Sequence, residues 1–338
     1  MTRSCTRSMM ILMVAVLAGA PLRAQVAVDA RMPAYTPVQG VSGAISSVGS
    51  DTMNNLMTLW GEKFTAVYPN VHVEIEGKGS STAPPALIES AASFGPMSRT
   101  MKQAEIDAFQ QRFGYEPTAV RVAIDMLAVY VHKDNPIARR GLSLTEIDAI
   151  FSATRKGGHS EAITTWGQLG LGGTWAEAPI SLYGRNSASG TYGYFKEHAL
   201  FSGDYKDSVK EQPGSASVVQ AVASDRFGIG YSGIGYRTAD VAVVPLVGEG
   251  GGEPVDARPD RLSDYPLARF LQFYINDRPG SDLDPLRREF IRLVLSKEGQ
   301  EVVIKDGYLP VSAAIARRQL AALGIDVAGS TQMARRPR

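Results

Sequence analysis

The feature that most constrains this chain is an alternation running through nearly all of it. Short apolar or period-two stretches are each followed by a turn and then by a stretch with helical spacing. Gly43 to Val48 reads as a strand ending in Gly49-Ser50-Asp51-Thr52. Met53, Leu56, Met57, Trp60, Phe64 and Val67 then share one helical face, and Pro69-Asn70 stops it. Val71 to Glu76 alternates as a second strand. Gly77-Lys78-Gly79-Ser80-Ser81-Thr82 turns into a helix from Pro84 to Ala92, where a first-turn proline is tolerated. Phe94 to Ser98 reads as a strand end, residues 102–113 as a helix, and Val120 to His132 as a long apolar strand. This βαβαβ order predicts a parallel sheet with helices on its faces.

A second set begins after Asp134-Asn135-Pro136. Leu144 to Phe151 reads as a helix, Ile180 to Tyr183 as a strand, and Tyr192 to Phe201 as the helix that follows it. Ser217 to Ser224 is helical and Gly228 to Tyr231 a strand; the Gly-, Pro- and Asp-rich residues 247–263 are loop. Leu267 to Ile275 reads as a second long strand, and residues 283–297, 299–305 and 312–323 as helices. The long apolar strands around 120–132 and 264–276 fall at the joins between the sets. They are expected to cross between two domains as an antiparallel hinge pair. Residues 40–124 with 265–325 would form domain I and residues 125–264 domain II. One continuous sheet is the competing arrangement, but 338 residues exceed the usual single-domain size. The expected fold is therefore α/β with two domains, each a mainly parallel sheet flanked by helices.

Residues 1–24 have the pattern of a cleavable export signal. Arg3 and Arg7 precede an apolar run from Met9 to Leu17, and Ala18-Gly19-Ala20 and Leu22-Arg23-Ala24 are candidate cleavage sites. The run is too short for a comfortable membrane span, a retained anchor being the alternative. The only cysteine, Cys5, lies within this segment, so the exported chain would carry no disulfide and no thiol. An export signal without a disulfide framework fits a bacterial periplasm. Thirty-five basic against 34 acidic residues give a net charge of +1, which offers no global attraction for nucleic acid. Residues 326–338, ending in Ala-Arg-Arg-Pro-Arg, are expected to form a flexible tail. The chain is read as a monomer without a cofactor.

Three turns share one design. Ser50-Asp51-Thr52, Gly79-Ser80-Ser81-Thr82 and Ser187-Ala188-Ser189-Gly190-Thr191 each join a strand to a helix. The first N–H groups of a helix lack acceptors and carry the positive end of its dipole, and rotatable hydroxyls add donors suited to a tetrahedral anion. One such turn is most simply an N-cap. Three of them at the carboxyl ends of strands point to an oxyanion site. Arg185, just ahead of the third turn, can grip two oxygens of one anion. Tyr192, Tyr194 and Phe195 are assigned to core packing. The four histidines, at 72, 132, 159 and 198, form no HExxH, and neither GxSxG nor GxxxxGK[ST] occurs.

At these turns the chain resembles the periplasmic phosphate-binding proteins of bacterial ABC transporters. The matching pieces are Gly49-Ser50-Asp51-Thr52, Gly79-Ser80-Ser81, Phe94 through Arg99, Arg185 through Thr191, and Gly228-Ile229-Gly230-Tyr231, in order over residues 40–312. The resemblance implies a type II periplasmic-binding fold that closes on inorganic phosphate and delivers it to an inner-membrane ABC permease. It further implies that Thr52 offers a hydroxyl and Met53 a backbone N–H, that Ser80 donates, that Ser98 lies at the third strand end, and that Arg185, Ser189, Gly190 and Thr191 complete the cage. The chain departs from the family pattern at Ser98-Arg99, where an aspartate is usual, and at Ser187, where an acid is usual. That aspartate would accept the proton of hydrogen phosphate and exclude fully ionised sulfate. Asp51 is left with three possible roles: that acceptor, a partner of Arg185, or an N-cap. A secreted phosphate-ester hydrolase reusing the cage and a surface adhesion or biofilm protein retaining the fold are the competing functions.

Overall fold

The computed structural model describes residues 26–325. The expected export segment and tail lie outside the described residues. Strand and helix alternate as the sequence predicts, beginning with β1 (Gly43–Val48), α1 (Asn54–Val67), β2 (Val71–Glu76), α2 (Ala83–Ile88), β3 (Gly95–Met97) and α3 (Gln103–Phe113). The long β4 (Thr118–His132) leads to α4 (Ile137–Arg140), β5 (Leu142–Ser143) and α5 (Leu144–Phe151). Next come β6 (Ser181–Arg185), α6 (Gly190–His198), β7 (Lys210–Gln212), α7 (Ser215–Ser224), β8 (Gly228–Gly233), β9 (Val241–Val243) and β10 (Leu246–Val247). The chain returns through β11 (Ala268–Ile275) to α8 (Pro285–Val294), α9 (Lys297–Lys305), β12 (Leu309–Pro310) and α10 (Ala313–Ala322).

The helix faces predicted from spacing are the buried ones. Leu56, Met57, Trp60 and Phe64 of α1 are fully buried, and the Trp60 indole N–H donates to Gly299 O at 2.8 Å. α5 begins with a capping box: Ser143 Oγ accepts from Glu146 N at 3.1 Å, and the Glu146 carboxylate accepts from Ser143 N at 2.9 Å. Two large cores result. One combines residues 32–123 with 271–325 around Trp60, Phe64, Phe94, Phe273 and Phe290. The other is built almost wholly from residues 126–267 around Phe151, Trp166, Phe195 and Tyr231, with Leu309 at its edge. The change from one core to the other falls inside β4, between Ala123 and Met126, and inside the segment from Leu267 to Leu271.

The two long strands do pair antiparallel. β11 runs along the first part of β4, from Ile275 opposite Thr118 to Ala268 opposite Met126. The second part of β4 pairs antiparallel with β8 over Leu127–Val131. The parallel pairs predicted from the βαβ order are present as β1–β2, β6–β7 and β6–β8. The sheets are nonetheless mixed, because β3 and β4 both flank β11 antiparallel. Strands that leave one lobe and return must run in opposite directions, which sets this pairing.

Candidate anion-binding site

All three hydroxyl-bearing turns meet at one interface between the lobes. In the first, Asp51–Met53 form a single 3-10 turn ahead of α1, with Thr52 and Met53 buried. Tyr308 donates its hydroxyl to Thr52 O at 3.0 Å, and Tyr236 reaches both Asp51 O and Thr52 O at 3.2 Å. The Met53 N–H, expected to face a ligand, donates to Ser50 O at 3.2 Å, the bond that closes the 3-10 turn.

The second turn depends on Gly79, whose φ of 112° lies outside the comfortable range of other residues. A side chain there would also fall 2.5 Å from Ala188 O across the interface. Ser80 is buried, and its Oγ accepts from Ser98 N at 3.0 Å, which leaves the Ser80 proton free to be donated elsewhere. Ser98, just beyond β3, brings its own hydroxyl to 3.4 Å from that of Ser80. Arg99 turns away, to Glu105 at 2.6 Å and to Ser81 Oγ at 3.3 Å.

The third turn comes from the other lobe. Ser189 caps α6, its Oγ accepting from Thr191 N at 3.1 Å. Gly190 lies so close to the first lobe that a Cβ would sit 2.2 Å from Ser80 Oγ and 2.6 Å from Ser98 Oγ. Thr191 Oγ1 is 2.8 Å from Thr52 Oγ1, and Ser81 N donates to Ala188 O at 3.1 Å. Thr52, Ser80, Ser98, Ser189, Gly190 and Thr191 are thus gathered on the two sides of one junction.

Arg185 ends β6 and is 1% exposed. Its Nη1 donates to Ser215 Oγ at 2.7 Å and stands 3.1 Å from Asp51 Oδ2, while Nη2 donates to Pro213 O at 3.3 Å. Nε has no partner among the described residues, nor does the buried Ser50 Oγ. Burial lowers the Arg185 pKa from its ordinary value, while the Asp51 carboxylate pushes it back up. Among the three roles left open for Asp51, the structure shows the pairing with Arg185. Asp51 does cap a helix, but in the opposite lobe: Oδ2 accepts from Ser215 N at 2.9 Å at the start of α7.

Sequence reasoning missed Ser215, Asp125 and Arg269. Arg269 of β11 donates through Nε at 3.0 Å and Nη2 at 2.7 Å to Asp125 Oδ2 of β4. The signal was a charge set within each long apolar strand, Asp125 beyond Arg121 in β4 and Arg269 in β11. Tyr194, assigned to the core, packs its ring 5.2 Å from the Arg269 guanidinium and donates to Ala268 O at 2.8 Å. Phe195 is a core residue, stacked on Tyr231. Among the described residues no cluster of three His, Asp or Glu has metal-ligand geometry.

A family model described as a PBP superfamily domain matches residues 34–298. The chain is 55% identical over 301 residues to the phosphate-binding protein PstS of Pseudomonas aeruginosa, covering 88% of this chain and 93% of that one. It is 25% identical over 277 residues to the phosphate-binding protein PstS of Bacillus subtilis, covering 80% and 82%. Among solved structures it resembles one described as a phosphate ABC transporter substrate-binding protein with bound phosphate from Clostridium perfringens. That match has 27% identity and a TM-score of 0.66, over 80% of this chain and all of the other. An ABC-type phosphate transport receptor from Vibrio cholerae shares the fold, at 20% identity and a TM-score of 0.60 over 79% of this chain and all of that one.

Proposed function

The chain belongs to the PBP superfamily, among the phosphate-binding PstS proteins, and from that premise we propose that it captures inorganic phosphate between its two lobes and delivers it to an ABC permease. Residues 40–124 and 265–325 form one lobe and residues 125–264 the other, with β4 and β11 as the hinge. The chain works in the periplasm as a monomeric carrier that performs no chemistry on its cargo, exported by residues 1–24.

The observation that carries this reading is the convergence of hydroxyl donors from both lobes beside a buried arginine. Thr52, Ser80 and Ser98 come from one side; Arg185, Ser189, Gly190 and Thr191 come from the other. In an open form these are two incomplete half-sites. An anion that touches both stabilises only the closed form and shifts the population toward it. Arg185 supplies the countercharge, with an Nε–H that no group among the described residues accepts. Asp51 holds Arg185 from the facing lobe and also ties the start of α7 to the first lobe. With that carboxylate engaged, the proton of hydrogen phosphate is accepted by a serine or threonine hydroxyl, each of which can donate or accept.

The test is Arg185→Gln. Loss of a charged donor costs about 1.5–3 kcal/mol, so phosphate affinity measured by calorimetry should fall at least about tenfold. An unchanged dissociation constant would remove Arg185 from the site.

A further inference from the structure

The hinge strands carry an ion pair that their register alone would not require. Arg269 and Asp125 stand directly opposite each other in the β11–β4 ladder. Both are buried, and Asp125 is 0% exposed. The carboxylate is fully engaged: Oδ2 accepts two bonds from Arg269, and Oδ1 accepts from Ile234 N at 3.0 Å. The rest of the guanidinium faces the anion site and touches both lobes. Nη1 donates to Ser98 O at 2.8 Å, and Nη2 donates to Thr191 Oγ1 at 2.9 Å.

We propose that Arg269 is a positioning residue for anion capture, setting the Thr191 hydroxyl as a donor and linking that hydroxyl to the closed hinge. The inference rests on the phosphate-binding reading above. A guanidinium can only donate. Thr191 Oγ1 therefore accepts from Arg269, and its own proton must point elsewhere. Among the described residues the other polar atom bonded to it is Thr52 Oγ1, 2.8 Å away in the facing lobe. The O–H is thus aimed across the junction, towards Thr52 Oγ1 and an anion bound beside it. Asp125 holds the guanidinium in this orientation, so it is not free to swing onto the anion as a simple countercharge. When the lobes part, Arg269 cannot keep both Ser98 O and Thr191 Oγ1, and the hydroxyl loses its fixed direction. Ligand geometry and hinge angle are coupled through one side chain.

The test is a double-mutant cycle read by phosphate calorimetry on the exported chain, with Arg269→Gln, Thr191→Val and the double variant. Each single variant should bind phosphate more than about tenfold more weakly. If Arg269 acts through Thr191, adding Arg269→Gln to Thr191→Val should cost less than about threefold further. Arg269→Lys keeps a donor and the charge, and should recover part of the loss. Should Arg269→Gln fail to fold because Asp125 is left unpaired, Arg269→Gln with Asp125→Asn removes the orphaned charge, and the cycle is run in that background. Wild-type affinity in Arg269→Gln, or losses in the two single variants that multiply fully in the double, would overturn the proposal. Absence of phosphate binding by the wild-type chain would instead overturn the function on which it rests.

Discussion

Replacing Gly190 by alanine should separate closure from folding. Gly190 opens α6 and its backbone is not left-handed, so alanine can adopt its conformation and is the better helix former. In the closed form, however, the new Cβ would lie 2.2 Å from Ser80 Oγ and 2.6 Å from Ser98 Oγ. Rotating Ser80 gives no relief, because Ser80 Cβ itself would be 2.8 Å away and its Oγ is held by Ser98 N. Restoring ordinary contact requires the lobes to separate by more than about 1 Å. That breaks the Thr52–Thr191 hydroxyl contact and the Ser81 N to Ala188 O bond. At about 1 kcal/mol for each bond, plus residual crowding, closure loses roughly 2–3 kcal/mol. Phosphate affinity by calorimetry should then fall about 30- to 150-fold. The melting temperature without phosphate should stay level or rise. Retention of wild-type affinity would refute the reasoning, since it would mean that the bound form does not bring Gly190 against Ser80. An equal loss of ligand-free stability would place the clash in the fold instead of in closure.

Thr52→Val keeps the shape of the side chain and removes its hydroxyl; phosphate affinity should fall by about fivefold or more with little change in melting, and unchanged affinity would take Thr52 out of the cage. Asp306 makes a pH prediction: burial raises its pKa from 3.8 to about 6, against an opposing hydrogen bond from Asn55. Between those values the folded chain holds a proton that the unfolded chain has released, so this group lowers stability as pH rises through the interval, and its penalty is complete above it. Asp306→Asn should therefore melt higher than wild type at neutral pH, with the gain disappearing towards about pH 4; a gain independent of pH would mean that ionisation is not its source.

Much of this molecule could be read from residue order. The α1 face, the strand-to-helix turns and the two long crossing strands follow from periodicity and turn chemistry, which are local properties. Arg185 could be singled out because it ends a strand just before a hydroxyl-rich turn. What lay beyond reach depended on distance in sequence. The sequence leaves Asp51 three roles because the helix it caps begins 164 residues later, at Ser215. Arg269 and Asp125 are 144 positions apart, and only the antiparallel register brings them together. The Met53 amide raises the same difficulty on a finer scale. Strand-to-helix spacing does not reveal that a 3-10 turn precedes α1 and uses that N–H internally. The mixed character of the sheets is likewise tertiary, since it comes from strands that must leave a lobe and return.

The central claim is that both lobes close on one phosphate. Calorimetric titration of the exported chain with inorganic phosphate tests it most directly. Saturable heat with one phosphate per chain, lost together with the Arg185 guanidinium, is the predicted result. No heat and no rise in melting temperature at millimolar phosphate would contradict it.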